Sequence, residues 1–298
     1  MSQPLAVGGA TRATVGAQER TQARKRADLS TGKRGQWWRF LLVLVVTFIV
    51  IIPILAVLYL SVQPGLGSSA TGFTFENFTA VLSQTDVLLW LGNSLGVALV
   101  VVVVAVAVAA PAGYVLSRLR NRLVSTYSLI LFVIQSLPVV TAAIPLFITF
   151  AALNLVNTLQ GVAIIYIGST MSVAIWMMAA YFDSIPISLE EAAWMDGASV
   201  FGSFTRIVLR NSLPGILSTA IFSFLLAWND YLIALLFLQD SSKYTLPVGL
   251  NTFFQQNAAN WGYVMAVAVI MMLPPVLVFA CLNRYFSVGG IGGSLAGR

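Results

Sequence analysis

The chain has 298 residues, 58 % hydrophobic and only 9 % charged, with a mean hydropathy of +0.89 and a net charge of +6. A water-soluble domain carries roughly 45–50 % apolar and about 25 % charged residues, so this composition excludes one, and length here counts membrane spans rather than soluble domains. There is no histidine and one cysteine, Cys281, which removes histidine-based acid–base catalysis, Cys/His metal clusters and any intrachain disulfide.

Residues 1–36 are polar, lack apolar periodicity and read as a disordered basic tail. Its run "RTQARKRADLSTGKRG" suits anionic lipid; no aromatic or fold motif there supports nucleic-acid binding. The first apolar run, "WWRFLLVLVVTFIVIIPILAVLYLSV", is long enough at 1.5 Å per residue to cross a bilayer. Trp37 and Trp38 stand as interfacial anchors and Pro53 predicts a kink. The run and its polar lead are both too long for a cleaved signal peptide.

A loop from Gln63 to about Thr85 follows, and its "FTFENFTAVL" reads as a short surface strand or helix. The second span covers 87–116 and ends at "RLRNR"; the third covers 124–150, with Pro138 and Pro145 shaping it. "NLVNTLQG" is a tight polar turn before the fourth span, 162–182. A polar insert, 183–211, precedes the fifth span, 213–238. A further loop leads to the sixth span, 261–282, and residues 285–298 form a short cytoplasmic tail.

Six spans put both termini on one side. Every Lys and Arg except Lys243 falls on that side, which the positive-inside rule makes cytoplasmic. The expected fold is therefore all-α and polytopic: six transmembrane helices within residues 37–284, and a cytoplasmic helical insert between the fourth and fifth.

The insert, "EEAAWMDGASVFGSFTRIVL", is far longer than a connecting loop needs. "SLEE" forms a capping-box pattern from Ser188 to Glu191. Leu189, Ala192 and Ala193 are expected to line one side of a short helix, with Glu190 and Glu191 near its positive end. Asp196-Gly197 signals a turn, and Ser199 can cap a second helix carrying Phe204, Ile207 and Val208 on one face. Two readings fit this pattern: an amphipathic elbow lying on lipid, or a docking knob whose small residues let a partner approach.

The insert resembles the EAA loop of permease subunits of binding-protein-dependent ABC importers, through Glu191, Ala192, Ala193, Asp196, Gly197, Ala198, Phe204, Ile207 and Leu209. "FTFENFTAVL", "AWNDYLIALLFL", "TLPVGLNTF" and "RYFSVGGIGGSLAG" extend the resemblance to the carbohydrate-importing branch, specifically the second permease of maltose- or glycerol-phosphate-type systems. The family usually has proline after the motif's leucine, whereas this chain has Arg210; a milder break into the fifth span is expected. The resemblance implies a cytoplasmic coupling helix that docks on a dimeric ATP-binding subunit through Glu190, Glu191, Ala192, Ala193, Asp196, Gly197 and Ala198. It also implies a second homologous permease, an extracytoplasmic sugar-binding protein and a bacterial inner-membrane location. ATP and its magnesium belong to the partner: "STGKRG" lacks the upstream glycine and following hydroxyl of a phosphate-binding loop. No cofactor or metal is expected on this chain.

For the pathway, the candidates are Trp228, Asn229 and Asp230 in the fifth span, with Asn93 and Gln135 as weaker ones. Asp230 is a carboxylate inside an apolar span; it faces either the pathway or a structural polar contact between helices. The rival functional reading is an ion-coupled secondary carrier, which would want several intramembrane ionisable groups and an inverted repeat.

Overall fold

The computed structural model describes residues 37–64, 72–119, 121–255 and 260–289. The basic tail at 1–36 lies outside the described residues. Helix α1, Trp37–Ser61, makes up nearly all that is described of one compact unit, which ends at Tyr59; the second unit starts at Leu60 and contains everything else below.

In the second unit the chain runs through α2 (Glu76–Gln84), α3 (Val87–Arg118), α4 (Arg122–Ser136), a 3₁₀ turn (Val139–Ala142), α5 (Ala143–Ala152) and α6 (Leu159–Asp183). Then come α7 (Ser188–Met195), α8 (Val200–Asn211), α9 (Leu213–Asn229), α10 (Leu232–Phe237), α11 (Leu246–Gln255) and α12 (Trp261–Gly289). Among the described residues there is no strand, and "FTFENFTAVL" contributes helix α2. The last helix continues to Gly289, through residues expected to begin the tail.

Four helices, α1, α3, α6 and α12, are long and apolar enough to cross a membrane, and the number reaches six if each bent pair is one span. The chain is an all-α polytopic membrane protein. The third expected span is the first bent pair: α4 and α5 meet at 82°. Leu137 has extended backbone because the ring of Pro138 disfavours the helical region for the residue before it. Pro145 sits in the first turn of α5, where its missing N–H has no helical partner to lose.

The fifth expected span is also interrupted. α9 ends at Asn229, Asp230 is extended, and α10 resumes at Leu232. At its other end, the mild break expected from Arg210 is not what the chain does: α8 and α9 are bent by 75°. Pro214 lies in the first turn of α9, so it cannot donate back into α8. Ser212 closes α8 through its N–H and its hydroxyl, both donated to the Val208 carbonyl. The proline that sets the bend is displaced along the chain, and the bend persists.

α3, α6, α9 and α12 build the core. Along α3, Ala98, Val101, Ala105 and Ala109 are wholly buried, so the α3–α6 contact uses small side chains that let the backbones approach. It is closest at Gly113, where a Cβ would lie 2.8 Å from Met178 Cβ and 2.9 Å from the Ala179 nitrogen. Between α5 and α6, Asn154 and Asn157 take φ of 56° and 58°, the left-handed region asparagine tolerates. Thr158 then caps α6, and Asn157 Oδ1 accepts from the amides of Gln239 and Asp240.

Candidate functional site

Two sites emerge from this frame: the turn between α7 and α8, and a half-open cavity along the flank of the bundle. The turn begins earlier than the capping-box pattern implies. Leu189 N–H donates to the Pro186 carbonyl, and Glu190 and Glu191 N–H both donate to the Ile187 carbonyl. Ile187 already has helical dihedrals and no side-chain cap forms. The expected Ser188–Glu191 box is therefore absent, because Ser188 is inside the helix rather than before it. The end of α7 follows the sequence: Ala198 N–H donates to Ala193 C=O and Gly197 N–H to Trp194 C=O, the paired bonds of a Schellman motif. Gly197 supplies the required left-handed residue, with φ of 84°. Ser199 then caps α8 by accepting from Gly202 N–H. A π-helical stretch, Phe204–Val208, buries Phe204 and Val208 and leaves Ile207 half-buried.

The buried side of α7 is Glu190 and Ala193, not the Leu189, Ala192, Ala193 face expected. Glu190 is 0 % exposed. Its Oε1 accepts from Arg118 Nε at 2.7 Å and its Oε2 from the Tyr114 hydroxyl. Arg118 also donates to the Ser117 hydroxyl and to the carbonyls of Phe182 and Ile185. The Tyr114 ring lies 4.7 Å from that of Phe204 and 6.1 Å from that of Phe182. Glu191, Ala192, Asp196 and Gly197 are exposed and Ala198 is half-buried. Beside them stand exposed apolar side chains, among them Trp194, Phe201 and Met195, the last 88 % exposed.

The second site is a cavity of about 660 Å³ between the α4–α5 elbow and the faces of α6 and α9. Gln135 and Asp230 both line it, although they are distant in sequence. Asp230 Oδ1 accepts from the Tyr166 hydroxyl at 2.8 Å and from the amides of Ile233 and Ala234, so the carboxylate also caps α10. The other three candidates lie elsewhere. Trp228, 1 % exposed, stacks on Phe224 and donates to the Met271 carbonyl. Asn229 is exposed and donates back to the Leu225 carbonyl. Asn93 donates to the carbonyls of Ser242 and Tyr244 and fastens the loop before α11. Sequence reading passed over Tyr166, Ser169 and Thr170, which also line the cavity. Their i, i+3, i+4 spacing marked one polar stripe on an otherwise apolar span.

Residues 105–288 match the family described as "Binding-protein-dependent transport system inner membrane component". The chain belongs to that family. As a member of it, the chain is a multi-pass inner-membrane component of a transport system. The inner membrane ABC transporter permease protein YcjP of Escherichia coli is 34 % identical over 69 % of this chain and 73 % of its own length. The trehalose/maltose transport system permease protein MalG of Thermococcus litoralis is 32 % identical, over 76 % of this chain and 82 % of its own. The trehalose transport system permease protein SugB of Mycobacterium tuberculosis is 30 % identical, over 89 % and 99 %. A solved bacterial ABC transporter that imports the acidic polysaccharide alginate shares the fold: TM-score 0.70, 21 % identity, covering 83 % of this chain and 94 % of the solved one.

Proposed function

We propose that this family member is one of two permease subunits of an ATP-driven sugar importer, forming half of the pathway and taking its energy from a separate, dimeric ATPase. The exposed, Schellman-closed turn after α7 carries this reading. It presents Glu191, Ala192, Asp196 and Gly197 on a rigid knob, the shape a cleft in a partner can accept. Glu190 and Ala193 drop out of the docking face because they point inward. The arginines near this end, Arg118, Arg122, Arg206 and Arg210, favour a cytoplasmic placement for the knob, and with it for both termini. Closure of the ATPase dimer draws this knob toward its counterpart on the second permease, and the bundles rock between inward- and outward-facing states. The cavity lined by Gln135, Tyr166, Ser169 and Asp230 is this chain's share of the route. An extracytoplasmic binding protein delivers the sugar; the names of the trehalose and maltose permease relatives support that solute class. An ion-coupled carrier is not favoured, since Asp230 is already committed to Tyr166 and two amides.

The test is reconstitution with the neighbouring ATPase, second permease and binding protein in vesicles, with uptake of labelled trehalose and maltose measured with and without internal ATP. ATP-dependent uptake that Asp196→Pro abolishes is expected. Uptake indifferent to ATP, or driven by an ion gradient, would refute the reading.

A further inference from the structure

The structure assigns Arg118 and Glu190 as the positioning pair that makes α7 move with α3 and α6, an inference that rests on the coupling to an ATPase proposed above. One guanidinium reaches three elements at once. Arg118 is the last residue of α3. Its Nε holds Glu190 of α7 at 2.7 Å, Nη1 reaches the Phe182 carbonyl in the last turn of α6 at 3.1 Å, and Nη2 reaches the Ile185 carbonyl just beyond it at 3.2 Å. The Phe182 carbonyl, which also accepts the Ile185 amide, belongs to the partially negative end of α6, where a cation is favoured. The Ser117 hydroxyl donates to Asp183 at 2.6 Å and ties the same two helix ends a second time. Tyr114, bonded to the other Glu190 oxygen, carries the connection to Phe204 of α8.

Stability alone does not account for this arrangement. A buried ion pair is often no more stabilising than two apolar side chains of similar volume, because desolvation offsets the attraction. What a planar fork with fixed donor directions adds is register: it permits one placement of α7 against the ends of α3 and α6. α7 is short, and its remaining buried side chain is Ala193, so packing gives it little else to hold by. A force applied to the exposed turn reaches the cavity-lining α6 through this pair.

The experiment uses the full complex in a Cys281→Ser, Ser169→Cys background, with Ser169 chosen because it lines the cavity. The rate of modification by a water-soluble maleimide is compared with and without ATP plus vanadate. The parent should show a rate change of about fivefold or more, the lower range of allosteric coupling. The double variant Arg118→Met/Glu190→Met, which keeps volume and leaves no lone buried charge, should retain its ATPase subunit and hydrolyse ATP yet lose the change. A double variant that keeps the parental ratio overturns the assignment, since a merely stabilising pair predicts that result. If the double variant does not assemble, Arg118→Lys decides by the same criterion: it keeps the charge but cannot reach all three elements. A parent that binds no ATPase or shows no nucleotide response sinks the importer reading and this inference together; a response surviving in the variants sinks this inference alone.

Discussion

The Tyr166 hydroxyl donates to Asp230 Oδ1 at 2.8 Å, joining α6 to the point where α9 breaks. The same oxygen accepts the first amides of α10. An asparagine retains that acceptor, so Asp230→Asn should cost less than about 1 kcal/mol, whereas Asp230→Ala removes the cap and should cost about 1–2 kcal/mol. Thermal unfolding of the detergent-purified protein reads the difference. Equal melting temperatures for the two variants would rule out the capping role.

Gly197 takes a backbone conformation that L residues avoid, yet a Cβ there would meet nothing within 4 Å. Strain and not crowding is therefore at issue. Gly197→Ala should raise the energy of the turn by about 1–2 kcal/mol, and Gly197→Asn by less. If the turn docks on the ATPase, recovery of that subunit in co-purification should fall in the order Gly, Asn, Ala. A variant order following side-chain size instead would show that the surface, not the turn, is what matters.

Gly113 and Gly96 lie on the same helix in opposite situations. Gly113 faces the α6 backbone and Gly96 has nothing within 4 Å. Gly113→Ala should destabilise by about 1–3 kcal/mol through overpacking. Gly96→Ala should be neutral or stabilise by about 0.5–1 kcal/mol, the helical penalty of glycine over alanine. Denaturation midpoints of the two variants in one detergent test this; a harmless Gly113→Ala would mean that the two helices can separate freely.

Glu190→Ala leaves the Arg118 guanidinium beside an unfilled site, and losing one partner of a buried pair costs about 3–5 kcal/mol. Glu191→Ala, at the exposed neighbour, should change stability by less than about 0.5 kcal/mol. The two adjacent alanine variants, compared by thermal unfolding, separate the inward glutamate from the outward one. Similar melting temperatures would contradict the burial of Glu190.

The sequence made the spans and the insert legible because both rest on periods and runs. It marked Gly197 and Ser199 correctly because a left-handed turn and a helix cap are local chemistry. Glu190 was assigned to the docking face because its inward direction depends on Arg118, a residue 72 positions earlier. The pathway candidates divided for a similar reason. Gln135 and Asp230 share a cavity only because Pro138 turns α5 away from α4, while Trp228, Asn229 and Asn93 are taken by nearby carbonyls that no residue pattern announces. The bend before α9 is sharper than Arg210 implies because Pro214 interrupts the chain from inside the next helix.

The spacing of the Arg118–Glu190 pair also orders biogenesis. At roughly 5–20 residues per second, the ribosome delivers Glu190 roughly 4–14 s after Arg118. During that interval the guanidinium at the end of α3 has no Glu190 carboxylate to meet, and α6, whose end forms part of the seat, is made before α7 because it precedes it in the chain. The pair can therefore close before α9 and α12, which complete the core, have been made. It joins α7 to the ends of α3 and α6 ahead of the rest of the core, and a nascent chain arrested before α7 leaves Arg118 without its carboxylate partner.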